Sequence, residues 1–186
     1  MKFSLSVFSA VTASVLAVAP AIAETPRPAP EFAIHMNEGN DKLLSSLRGK
    51  TVCMAFFYTT CPHCQDMAGL LSRLQPEYVP KGVQFIAAAF NDDAKTLTPA
   101  FVAQFVHGFP MGYTDRGAVL EFLQKSIMTP LYVPILVFVD RKGVIQDEYI
   151  GDSNFLSAPE KNLRAELDKV IAKGGAGKLV SRVSKK

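Results

Sequence analysis

The stretch Thr51 to Cys64, TVCMAFFYTTCPHC, constrains this chain more than any other. Thr51 to Tyr58 is β-branched, aromatic and nearly all apolar, which predicts a central strand buried on both faces. Pro62 to Gln75 then reads as a helix. Met67, Leu70, Leu71 and Leu74 fall at helical spacing, Pro62 occupies a tolerated first-turn position, and Pro76 is expected to end or kink the helix. Cys61 therefore sits directly after a buried strand and at the start of a helix.

The remaining elements alternate in the same way. Asp41 to Leu47 reads as one helical turn ended at Gly49, and Gly82 precedes a second buried strand, Val83 to Phe90. Leu97 to Val106 is expected to be a helix with Phe101, Val102, Phe105 and Val106 on its apolar face. Pro110 to Tyr113 is a short strand and Ala118 to Ile127 a further helix. Ile135 to Val139 and Val144 to Ile150 are strands joined by the turn Asp140–Gly143. The last helix spans Ala158 to Lys173, with Leu163, Leu167, Val170 and Ile171 inward. This order predicts an α/β fold: a central mixed β-sheet flanked by helices on both faces.

Both ends read differently from the middle. Lys2, the apolar and small residues from Phe3 to Ala19, Pro20 and the small-x-small triplet Ala21–Ala23 match a signal peptide over 1–23, cleaved after Ala23. The apolar run is too short for a stable membrane span. Residues 24–33, with three prolines between Glu24 and Glu31, read as a stiff linker or a lead-in strand. Residues 34–173 form the domain, and 174–186 a basic tail. Of all residues, 48% are apolar and 20% charged, with a formal charge of +3, too mild for a nucleic-acid partner. Three cysteines are too few for a disulfide scaffold, so they matter by position.

A helix N-terminus carries unpaired amides and partial positive charge, which stabilise a thiolate, and the thiolate is the species that attacks a disulfide. Cys61 is thus the expected nucleophile. Cys64, one turn later and deeper, is the expected resolving thiol. Pro62 fixes the first turn, and His63 tunes the thiolate when protonated. The other readings of the pair are weaker. A structural zinc site needs four ligands and there is no second cysteine pair, so no metal is assigned. Covalent haem needs His after the second cysteine, where residue 65 is Gln. A purely structural disulfide closing so small a loop would constrain little of the chain.

With these features the sequence resembles the thioredoxin superfamily, in particular exported TlpA-like thiol-disulfide oxidoreductases. The resemblance runs from about Pro30 to Ile171, through PEFAIH, LLSSLRGKTVCMAFFYTTCPHC, VQFIAAAF and YVPILVFVDRKGVIQDEYIGD. It implies a thioredoxin-like fold and a cis peptide at Pro134 facing the cysteines. It also implies a Val133 backbone that pairs with an extended substrate segment. The only redox group it implies is the Cys61–Cys64 disulfide, with no added cofactor. The expected substrates are protein cysteine pairs, with a membrane or periplasmic redox partner. The chain departs from the family pattern at Thr60, where Trp is usual, and at Ala55, where the preceding strand often carries a buried acid. Asp66 is the nearest acid and is expected on the helix surface. The inner Pro-His pair resembles DsbA-type oxidases, while the overall frame resembles the TlpA-like reductants.

The other candidates read mostly as structure. Cys53 is expected as a small core filler, His107 as a helix-end cation, and His35 has no assigned role. Phe56, Phe57 and Phe101 read as core, and Tyr58 as a candidate lining of the docking surface. Two further functions share the fold. FFYTTCP also resembles SCO-type copper chaperones, with His107 as a distant ligand, although the cysteine spacing differs by one residue. Thr59 and Thr60 before the cysteine weakly suit a peroxiredoxin-like peroxidase.

Overall fold

The computed structural model describes residues 24–174. The expected signal peptide at 1–23 and the tail beyond Gly174 lie outside the described residues. The apolar run at Thr51 forms a strand in which all seven residues are buried. It is the fourth of eight strands: β1 (Arg27–Pro28), β2 (Ala33–His35), β3 (Asp41–Leu43), β4 (Thr51–Phe57), β5 (Val83–Ala89), β6 (Met111–Tyr113), β7 (Ile135–Val139) and β8 (Val144–Tyr149). They form one mixed sheet in the order β1-β8-β7-β4-β5-β6-β2-β3. β4 runs parallel to β5 and antiparallel to β7.

Among the described residues four helices cover the sheet: α1 (Pro62–Tyr78), α2 (Ala94–Phe105), α3 (Arg116–Phe122) and α4 (Pro159–Gly174). Alternation along β4 divides the core between its two faces. Cys53, Ala55 and Phe57 pack with the inward residues of α1, α2 and α4. Val52, Met54 and Phe56 pack with Phe32, Leu44, Leu47 and the α3 residues Val119 and Phe122. On this second face Phe56 meets Phe32 edge-on at 5.3 Å between ring centroids. The expected helices on both faces of a mixed sheet are therefore what forms.

Several expectations need correction. Pro76 does not end α1. It removes one amide from the helix, yet Val79 N–H still reaches the Gln75 carbonyl, and the chain leaves the helix through a 3₁₀ turn at Val79–Lys81 and Gly82, whose φ is +85°. The helix expected to reach Ile127 stops at Phe122. Gln124 adopts a φ of 53°, and Lys125 N–H closes the end on the Leu120 carbonyl. Asp41 to Leu47 divides into β3 and a 3₁₀ turn at Leu44–Leu47. The helix expected from Leu97 begins at Ala94. Within the proline-rich segment it is the lead-in strand that forms, at Arg27–Pro28. Arg27 and Pro28 pair with Ile145 and Val144 at the sheet edge, where a residue without an amide is tolerated.

The far side of the sheet depends on a close backbone approach at Gly112. A Cβ there would stand 2.2 Å from the His35 carbonyl oxygen, across the β6–β2 pairing. Gly112→Ala is expected to lower stability by roughly 1–3 kcal/mol in denaturant titration. An unchanged midpoint would contradict the tight pairing.

Cys53 is fully buried, and burial pushes its thiol up from the ordinary 9.0. Above that pH the unfolded chain releases a proton that the native state keeps. The stability linked to this thiol is therefore constant below about pH 8.5 and falls above it, by about 1.4 kcal/mol per pH unit. Denaturant midpoints from about pH 7 to about pH 10 should decline more steeply in the parent protein than in Cys53→Ala. Parallel profiles would contradict the assignment.

Candidate active site

The site is built at the junction between β4 and α1. Beyond Phe57 the chain turns through Tyr58, Thr59 and Thr60. Asn91, just past β5, holds that turn: its Oδ1 accepts from the Thr59 amide at 2.9 Å and from the Thr59 hydroxyl at 3.2 Å. The Gln65 side-chain amide donates to the Thr59 carbonyl at 3.4 Å. Tyr58 packs against Phe90, with ring centroids 4.6 Å apart. Cys61 is the residue that caps α1, with extended backbone (φ −88°, ψ 119°), and Pro62 opens the first turn. The Cys61 carbonyl accepts from the amides of Cys64 and Gln65, both at 3.1 Å.

The two cysteines differ in environment. All three cysteines of the chain are free thiols. Cys61 is half-buried at the helix end, whereas Cys64 is completely enclosed. Burial is the main cause that pushes the Cys64 thiol up, and a hydrogen bond with the Cys61 side chain adds to it. A Tyr58 backbone hydrogen bond works the other way. At neutral pH Cys64 is a protonated thiol held beneath its neighbour. His63 is exposed on the same first turn.

Pro134 reaches the site from the other side. The Val133–Pro134 peptide is cis. Arg116 holds the preceding loop through its guanidinium, which donates to the carbonyls of Ile127 (3.3 Å) and Thr129 (2.8 Å). Gly151 backs the same loop. Its amide donates to the Tyr132 carbonyl at 2.9 Å, and a Cβ at Gly151 would stand 2.7 Å from the Val133 carbonyl. Ile127, Met128 and Tyr132 point into solvent at 75%, 85% and 54% exposure, so the loop presents an apolar surface. Pro134 and His63 line one groove of about 450 Å³ together with residues of α1 and of the start of α4.

Other residues fall away from this centre. Asp66 is exposed on α1. Ala55 is buried and neutral, and the buried carboxylate of this face lies elsewhere. In register Ala55 pairs with Leu136, and Leu136 with Tyr149, so Tyr149 is two strands away. There the Tyr149 hydroxyl donates to Glu166 at 2.9 Å, and Lys169 donates to the same oxygen at 3.0 Å. Burial raises the Glu166 carboxyl above its ordinary value. His107 is exposed, and its amide donates to Ser72 on the third turn of α1. Ser72 is eight residues past Cys64, about 12 Å along the helix. Among the described residues no three His, Cys, Asp or Glu side chains gather as a metal site, and no helix is long and apolar enough to cross a membrane. Asn91 and Gly151 were not singled out from the sequence. An Asn directly after a strand and a Gly after the last strand are the signals each offered.

Comparison with known proteins places these features in a family. A model of the redoxin family matches residues 25–167. A thiol-disulfide oxidoreductase ResA of Bacillus cereus is 30% identical over 124 residues, covering 67% of this chain and 68% of that protein. The thioredoxin-like protein YneN of Bacillus subtilis is 27% identical and covers 75% and 76%. Among solved structures, a thioredoxin-family thiol:disulfide interchange protein from Chlorobium tepidum TLS superposes with a TM-score of 0.62 at 19% identity, over 78% of this chain and 99% of that one. At that identity the likeness is one of fold. BsSco, of the Sco family of cytochrome c oxidase assembly proteins, superposes with a TM-score of 0.59 at 17% identity, over 79% and 95%. The chain belongs to the redoxin family, as a TlpA-like thiol-disulfide oxidoreductase of the thioredoxin superfamily.

Proposed function

We propose that this enzyme is exported and reduces disulfides in other proteins through Cys61 and Cys64. The observation that carries this reading is the contrast between the two thiols: Cys61 half-buried at a helix end, Cys64 enclosed one turn on. Only Cys61 can meet a sulfur of another protein. Its thiolate attacks one sulfur of the substrate disulfide, a Cys61–substrate disulfide forms, and the other substrate sulfur leaves as a thiolate and takes a proton. Cys64 then gives up its proton and attacks the Cys61 sulfur. The substrate sulfur that Cys61 had bound departs and takes up that proton as a thiol, and the Cys61–Cys64 disulfide remains. Two electrons pass to the substrate, and no further cofactor takes part. A dithiol donor at the membrane or in the periplasm returns the chain to its reduced form.

Pro62 holds the first turn that places both sulfurs, and exposed His63 adds positive charge beside Cys61 when protonated. Val133 is the residue whose backbone would pair with an extended substrate segment, with Pro134 beside it against the cysteines. Export is supported by the signal-like sequence of residues 1–23. The copper-chaperone reading gains a neighbour of the same fold in BsSco, but the His107 amide is held at Ser72, about 12 Å of helix beyond Cys64, and among the described residues no three metal-ligating side chains gather.

Reduced protein should cleave the disulfides of a model protein, and Cys61→Ser should abolish this. Full activity in that variant would contradict the mechanism. Equilibration with glutathione tests the direction. A reductant should lie well below about −200 mV, near the thioredoxin end of the scale, while a value near about −120 mV would make the protein an oxidant.

A further inference from the structure

The groove beside the cysteine pair runs between α1 and the start of α4. Met67 and Leu70 from α1 and Leu156 from the turn before α4 make its apolar floor, with Pro134 at the cysteine end. Its charged rim is unequal along its length. His63 and Asp66 stand near the cysteines. The ion pair between Arg164 and Glu77 sets the start of α4 against the C-terminal half of α1, so Arg73 and Lys161 stand at the far end. Glu160 is there too, but Arg164 already binds it at 3.0 Å. Among the described residues Arg73 and Lys161 make no ion pair, and both are exposed. The free amides in the first turn of the 16-residue helix α4 add to the same positive end.

We propose that this groove seats an extended segment of the substrate protein. The segment carries an apolar side chain over Met67 and Leu70 and a carboxylate at Arg73 and Lys161. The assignment rests on the reductase reading above and adds the substrate's chemistry to it. Two observations select this occupant: the groove is continuous with the cysteine end at His63 and Pro134, and the unpaired charges at its far end, Arg73 and Lys161, are both positive, whereas the unpaired carboxylate of Asp66 stands at the cysteine end. The spacing follows from geometry. Arg73 lies twelve residues past Cys61, about 18 Å along the helix, and an extended chain advances about 3.3 Å per residue. The carboxylate therefore stands about four to six residues from the substrate's reactive cysteine. Arg73 and Lys161 determine specificity and take no part in the sulfur chemistry.

The test uses the reduced full-length protein and synthetic peptides, each bearing one cysteine as a mixed disulfide with 2-mercaptoethanol. The peptides carry Glu, Gln or Lys five residues from that cysteine, on either side, and Leu between. Each turnover converts the protein dithiol to the Cys61–Cys64 disulfide and releases peptide thiol and 2-mercaptoethanol. Because the chain has no Trp, the rate is followed by alkylation and mass. In one of the two orientations the Glu peptide should react about threefold to tenfold faster than the Lys peptide at low salt. That ratio should fall toward one at high salt and invert in an Arg73→Glu, Lys161→Glu double variant. Equal rates for all three charges, or a ratio the double variant leaves unchanged, would overturn the groove assignment alone. A dimer that the double variant dissolves would make a second copy the occupant and overturn it as well. No reaction with any peptide would remove the reductase reading and the groove assignment together.

Discussion

β4 is buried along its whole length, and both layers of the core close on it. Its residues alternate between two apolar clusters, one beneath α1, α2 and α4 and the other beneath α3 and the segment from Phe32 to Leu47. Burial of this kind stabilises by roughly 25 cal/mol for each Å² of apolar surface, and it has no direction of its own. Direction comes from the ladders to β5 and β7, which pair Phe57 with Ala89, two residues before Asn91, and Phe56 with Ile135, next to Pro134. Because that end is fixed, the turn through Thr59 and Thr60 delivers Cys61 to the same place at the start of α1. The cysteine pair thus inherits its geometry from a strand buried along its whole length.

The chemistry follows from a difference in solvation between two identical side chains. Both sulfurs belong to the first turn of α1, but only Cys64 is enclosed, and burial holds its thiol in the protonated form. A free dithiol in which both groups were exposed would offer two competing nucleophiles. In the mechanism we propose, attack belongs to Cys61, and Cys64 acts after Cys61 has been consumed. The strand below contributes no acid to the second proton transfer, because Ala55 occupies that place. The buried Glu166 is two strands away across Leu136, in a network with Tyr149 and Lys169 that ties α4 to the sheet. Its hydrogen bonds mark it as a structural group of that seam.

The parts that were legible in the sequence are those decided by local pattern. An unbroken apolar run can only be a buried strand or helix, and β-branched and aromatic residues select the strand. The spacing of Met67, Leu70, Leu71 and Leu74 marks the buried face of α1. The limits of elements were harder to read where a distant group intervenes. The residues up to Ile127 read as a continuation of α3, but Gln124 turns the chain out of the helix, and Arg116 binds the carbonyls of Ile127 and Thr129 in the loop. Asn91 and Gly151 matter only through residues far along the chain, Thr59 for one and Val133 for the other. Nothing in the local sequence of either residue names its partner.

The proposed exchange divides its labour between Cys61 as the attacking sulfur and Cys64 as the resolving one. Trapping the covalent intermediate tests it most directly. A Cys64→Ser variant incubated with a disulfide-containing substrate protein should accumulate a mixed disulfide that peptide mapping locates at Cys61, while a Cys61→Ser variant should accumulate none. A mixed disulfide trapped at Cys64, or equal trapping by both variants, would contradict the account.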